Sequence, residues 1–125
     1  MVKLVYLRAT RQNNPVGCVA YSYDDEGIDY NLSVLNPLDK FDRKLARGIA
    51  TKRLDKYSYH LPINTKNMSN FDIMVEVIAS ISNNSALPKR AQKAAREWLK
   101  INDSYVNLVI EDDMTSNIDN AIVAA

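Results

Sequence analysis

The apolar positions of this chain repeat every second residue over the first 35 positions and every third or fourth residue after that. Val2 to Ala9 interleaves apolar residues with Lys3 and Arg8 and is rich in Val, Leu and Tyr, which predicts a strand. Gln12-Asn13-Asn14-Pro15 is turn chemistry, because Asn tolerates left-handed dihedrals and Pro presets φ. Val16 to Tyr23 predicts a second strand, with Cys18 and Ala20 on one face and Val19, Tyr21 and Tyr23 on the other. Asp24-Asp25-Glu26-Gly27 closes a tight turn. In the third strand, Ile28 to Leu35, Ile28, Tyr30, Leu32 and Val34 share one face, and Asp29, Asn31 and Ser33 share the other. Connections this short imply antiparallel neighbours, hence a three-stranded meander with an apolar face to be covered.

The period then changes. Asn36 to Asp55 predicts an amphipathic helix with Asn36 as N-cap, Pro37 at its first position and Asp39 in the first turn, where the helix dipole favours a carboxylate. Leu38, Phe41, Leu45 and Ile49, widened by Ala46 and Ala50, form the stripe expected to cover the sheet. Gly48 costs a helix interior about 1 kcal/mol relative to Ala, which anticipates a close backbone approach or a bend. Lys56 to Asn67 fits an extended loop with room for a short strand. Ser69 and Asp72 have the spacing of a capping box. The helix they open leaves only Asp72, Glu76 and Ser80 as a narrow polar stripe, so burial of most of it is expected. Pro88 opens a third helix to about Lys100, with Ala91, Ala94, Ala95, Trp98 and Ile101 as its buried side. Tyr105 to Ile110 fits a fourth strand or a short helix equally well. The expected fold is therefore α+β. A single compact domain over residues 1–110 carries an N-terminal three-stranded antiparallel meander covered by about three helices, with a fourth strand placed near the C-terminus. An acidic tail follows over 111–125.

Composition adds little to this picture and charge adds more. At 125 residues, 46% hydrophobic and 25% charged, the chain has the make-up of an ordinary single globular domain. The single cysteine, Cys18, excludes an internal disulfide and fits a reducing cytoplasm. The first residues are too soon interrupted by charge for a signal peptide, and no apolar run reaches membrane length, so no membrane partner is expected. The net charge of +1 hides an uneven distribution. Leu38 to Lys56 holds seven basic and three acidic residues, Lys89 to Lys100 holds five basic and one acidic, and no basic residue follows Lys100. The cations expected on the outer helix faces are Lys40, Arg43, Lys44 and Arg47 in the first run and Lys89, Lys93, Arg96 and Lys100 in the second. These eight are the candidate binding residues. They fit an anionic partner, although charge runs also serve simply as solvated faces.

Candidate chemistry is sparse. His60 has no sequence partner resembling a metal or catalytic motif. Cys18 lies mid-strand without a local base, which suits a buried small hydrophobe better than a nucleophile. Asp24-Asp25-Glu26 and Glu111-Asp112-Asp113 lack the ligand spacing of a calcium loop. Phosphate loop, nucleophile elbow and zinc signatures are absent. The expectation is a protein that is not an enzyme and has no cofactor and no metal. Tyr6, Tyr21, Tyr23 and Tyr30 fall on strands, where sheet packing accounts for them without base stacking.

The run Leu35-Asn36-Pro37-Leu38-Asp39-Lys40-Phe41-Asp42-Arg43-Lys44-Leu45-Ala46-Arg47-Gly48-Ile49-Ala50, followed by Arg53-Leu54, resembles a pattern in small accessory proteins of tailed bacteriophages. Pro88-Lys89-Arg90-Ala91, Ala94-Ala95 and Trp98-Leu99 are similar in kind. The resemblance covers about the central half of the chain and transfers no functional residues. It implies a protein of the bacterial host cytoplasm that binds host enzymes or disarms host defences without catalysis. The leading expectation is a non-enzymatic binding protein that regulates or inhibits a bacterial host macromolecule, a protein above all, through its basic helix faces. The alternatives are a nucleic-acid-binding module on the same faces, or a binder of a small anionic ligand such as a nucleotide. The sequence specifies no oligomeric state.

Overall fold

The computed structural model describes residues 1–8, 14–36 and 38–113, with side chains as far as 102. The elements run β1 (Lys3–Leu7), β2 (Gly17–Asp24), β3 (Gly27–Val34), α1 (Arg43–Lys56), β4 (Tyr59–Leu61), α2 (Asn70–Asn83) and α3 (Lys89–Asp113). The four strands form one antiparallel sheet in the order β1-β2-β3-β4. The fold is thus α+β, and the meander is as expected. The fourth strand, however, lies in mid-chain at Tyr59–Leu61, and residues 105–110 belong to α3. The tight turn between β2 and β3 is held by Asp24, whose Oδ1 accepts from the backbone N–H groups of Glu26 and Gly27.

Strict alternation gives the sheet two chemically different faces. Leu7, Val19, Tyr21, Ile28, Tyr30 and Leu32 are buried on one of them. They meet Ile73, Val77, Ile78 and Ile81 of α2 and Ala91, Ala94 and Ala95 of α3. Each large aliphatic side chain withdrawn from water here contributes roughly 1.5–3 kcal/mol, so this layer is the main source of stability. The Ser69–Asp72 capping box that opens α2 is formed as expected. Two expectations for this layer change. Phe71 is exposed, at the α2 start, and Ile101 is half exposed, past the end of the shared helix contact.

The largest correction concerns α1. It covers the opposite face of the sheet, where Cys18, Ala20, Asn31 and Ser33 point. Of the predicted stripe of Leu38, Phe41, Leu45 and Ile49, Phe41 packs against this layer, from just before the helix, and Leu38 and Leu45 do not. Leu38 is 93% exposed and Leu45 61%, while Ala46 and Ala50 are buried. The reason is steric and polar together. A face of small side chains accepts a helix only through equally small residues, and the helix then sits close enough to bond. Ser33 Oγ donates to the Ala46 carbonyl at 2.8 Å, and Asn31 Nδ2 donates to the Tyr57 carbonyl at 2.6 Å. Arg53 Nη1 reaches back to the Leu32 carbonyl at 2.9 Å.

The helix also starts later than expected. Asn36 Oδ1 accepts from Leu38 N–H at 3.0 Å, which folds the chain into a local turn in place of a helix. Asp42 is the N-cap, accepting from Leu45 N–H at 3.0 Å. Lys40 and Asp39 therefore precede α1, and Pro37 lies outside the described residues. At the other end, α3 runs to Asp113, past the expected stop at Lys100. The tail expected over 111–125 thus begins inside that helix, and its remainder, 114–125, lies outside the described residues.

Candidate functional site

Docking through Ala46 and Ala50 turns the cationic side of α1 outward and toward β1. Lys40, just before α1, and Arg43, Lys44 and Arg47 within it are all exposed, as is Lys52 further along the helix. None of these five has an ion-pair partner among the described residues. Arg43 lies over the ring of Tyr6, 5.1 Å from its centroid, and Phe41 meets the same ring edge-on at 5.7 Å. A cation above an aromatic face is attracted by the ring quadrupole, which holds this guanidinium beside β1.

Between α1 and the sheet lies an open groove of about 680 Å³. Its floor includes Val2 and Leu4, 46% and 36% exposed, and its helical wall includes Arg47, Gly48, Thr51 and Lys52. Arg43 stands beside Tyr6 while Thr51 shares the groove with Val2 and Leu4, so α1 runs antiparallel to β1. Gly48 does not serve the close approach expected of it. A Cβ built at this position meets nothing within 4 Å. The groove residues Val2, Leu4, Thr51 and Lys52 are not among the eight predicted cations. Lys52 was visible in the basic run, but an exposed apolar floor has no signature in a strand pattern.

The second set of cations, Lys89, Lys93, Arg96 and Lys100, is also exposed, but on α3. Since α1 and α3 pack on opposite faces of the sheet, the two stripes do not form one surface. Part of the α3 set is engaged locally. Lys93 pairs with Glu97 at 3.9 Å, and Arg96 donates to Gln92 at 3.2 Å. Arg8, Arg90 and Lys93 do line a smaller pocket of about 330 Å³. Its cations are partly committed, because Arg90 donates to the Leu35 carbonyl and Glu97 shares the pocket wall.

The titratable groups near the groove are arranged for structure. Ser22, Asp29 and His60 stand in one row across β2, β3 and β4. His60 Nδ1 lies 2.6 Å from Asp29 Oδ1, with both side chains about half exposed. Asp29 stands between the serine and the imidazole, so the row does not place a hydroxyl against a base as an acyl-transfer triad does. Cys18 is fully buried under α1, and burial pushes its thiol above the usual range, with a smaller opposing pull from Arg47. The thiol therefore stays protonated and inaccessible. In native buffer at pH 8, iodoacetamide should leave Cys18 unmodified while the urea-unfolded chain reacts completely, as mass spectrometry would show; rapid native labelling would contradict this burial. Among the described residues, no group of three or more His, Cys, Asp or Glu side chains is placed to hold a metal ion, and no helix is long and apolar enough to cross a membrane. Comparison with known proteins finds no family model, no curated protein and no solved structure that matches this chain.

Proposed function

We propose that this is a non-enzymatic binding protein that regulates or inhibits a macromolecule of a bacterial host, with α1 as its contact surface. The observation that carries the reading is the outward flank of α1: exposed cations without ion-pair partners, beside an open groove with an apolar floor. Unpaired cations raise the encounter rate with an anionic surface, and an apolar floor beside them supplies the short-range attraction that charge alone lacks. The resemblance of the α1 segment to phage accessory proteins supports a host protein as the target. The opposed placement of the two stripes argues against one continuous eight-cation site, and the unpaired cations beside the groove favour α1.

Charge reversal separates the two faces. Arg43→Glu with Arg47→Glu should lower capture of the partner from bacterial lysate at least about tenfold, because close charge pairs across interfaces couple strongly. Lys93→Glu with Arg96→Glu should leave capture nearly unchanged. Both variants should keep the circular dichroism of the natural chain, since all four side chains are exposed. Equal loss from the α3 variant, or none from the α1 variant, would overturn the assignment. Capture of nucleic acid instead of protein, with affinity falling steeply as salt rises, would replace the reading with the nucleic-acid alternative.

A further inference from the structure

We infer that the free edge of β1, alongside the groove, takes an extended peptide segment of the partner as a fifth strand, which carries acidic side chains at every second position. This rests on the reading of α1 as the contact surface and specifies what that surface recognises.

Three observations converge on it. The first is the edge itself. The sheet ends at β1, and no strand among the described residues pairs with its outer side. Such an edge presents alternate unpaired N–H and C=O groups, a template for another strand. The opposite edge is guarded, because β4 has only three residues and Pro62 follows it directly. In β1, by contrast, Leu4 to Leu7 contains neither charge nor proline.

The second observation is spacing. Since α1 runs antiparallel to β1, the stretch Arg43 to Thr51 accompanies Tyr6 to Val2. Arg43 and Arg47 are one turn apart, a rise of about 6 Å. Side chains at i and i+2 on an added strand are about 6.8 Å apart. Carboxylates on the α1-facing side of that strand would therefore meet the two guanidinium groups in step. The intervening side chains fall on the opposite face of the extended sheet.

The third is Gly48. It weakens a helix interior and supports no internal contact, since a Cβ there would face open space. Its position in the groove wall lets an incoming side chain approach the helix backbone. A nucleic-acid backbone suits the groove less well. Only a peptide satisfies the unpaired N–H and C=O groups along the edge of β1.

The test uses the isotope-labelled full chain and NMR titration. The probes are a capped peptide of alternating valine and glutamate, of about natural strand length, an isomer with all its glutamates at one end, and oligothymidylate. The alternating peptide should slow hydrogen exchange at β1 amides and bind at least about fivefold more tightly than its isomer, because only alternation matches a pleated strand to one helix face. Arg43→Glu with Arg47→Glu should weaken it about tenfold. Gly48→Leu should block it, while Gly48→Ala should raise the urea midpoint and bind more weakly than the natural chain. Equal affinity for the isomer, or binding that depends on Arg43 and Arg47 without protection of β1, overturns strand addition and leaves the α1 surface standing. Binding insensitive to the double reversal overturns both. Tighter binding of oligothymidylate in the groove, or β1 protection that grows with protein concentration in the absence of peptide, overturns the peptide occupant in favour of nucleic acid or a second copy.

Discussion

Gly17→Ala should unfold in urea at a far lower midpoint than the natural chain, with a loss of about 3 kcal/mol or more, at or beyond the upper end of ordinary overpacking. A Cβ at this position would stand 1.9 Å from the Ser33 carbonyl oxygen, 3.0 Å from its carbonyl carbon and 3.2 Å from Val34 Cα. All three atoms are backbone, so no side-chain rotation relieves the clash. The strands would have to part where Gly17 faces Val34, the first pair of the β2–β3 register. The damage would not stay local. Ser33 Oγ also accepts from the Cys18 N–H at 3.3 Å and donates to the Ala46 carbonyl, so moving Ser33 loosens α1 as well. The expected signature is a lowered midpoint together with faster amide exchange in both β2 and α1. An unchanged midpoint would mean that β2 and β3 are further apart here than the structure places them.

Tyr30→Ala is the second large effect. Tyr30 is fully buried on the central strand β3 and is the largest such side chain in the core. Its ring lies 5.4 Å from that of Tyr59, and its hydroxyl reaches across to α2, 2.7 Å from Ser80 Oγ. Asn84 Nδ2, just past the end of α2, donates to the same hydroxyl at 3.1 Å. Truncation to alanine removes the ring volume and leaves a cavity, which costs about 3–5 kcal/mol for an aromatic side chain. That is a large share of the roughly 5–15 kcal/mol available to a domain. Tyr30→Phe keeps the packing and removes only the hydroxyl, and should cost about 1–2 kcal/mol because Ser80 and Asn84 lose their shared partner. The gap between the two variants, measured by urea unfolding, separates ring packing from hydrogen bonding. Equal losses would show that the hydroxyl network dominates.

Much of the architecture could be read from local chemistry. The alternation in Val16–Tyr23 and Ile28–Leu35 named the two faces of the sheet correctly, residue by residue, and the Ser69–Asp72 pair marked the start of α2. The start of α1 is not legible locally, because Asn36 offers two outcomes, a helix cap or a turn, with nearly the same sequence signature. The turn prevails here, with Asp42 taking the cap. The helical content of residues 105–110 was ambiguous for a related reason, since a short apolar run fits either period. The exposure of all eight candidate cations was also legible, as burial of an unpaired charge is prohibitively costly. The groove was not. It exists because α1 sits over β2 and β3 and leaves the outer part of β1 uncovered, and no local pattern encodes that offset.

The sequence by itself determined the first three strands, most of the helices, which side chains share a sheet face, and that the positive charge would be solvent-facing. These follow from backbone periodicity and from the free energies of burying apolar or charged groups, which are properties of short segments. Only the tertiary structure decided which helix covers which face. That choice turns on matching volumes and hydrogen-bonding groups across layers. The bulky face of the sheet goes to α2 and α3, and the small and polar face goes to the Ala46–Ala50 flank of α1, where the Ala46 carbonyl accepts from Ser33 and the Tyr57 carbonyl, just past the helix, accepts from Asn31. The same choice divides the two basic stripes between opposite sides of the sheet and opens the groove beside β1.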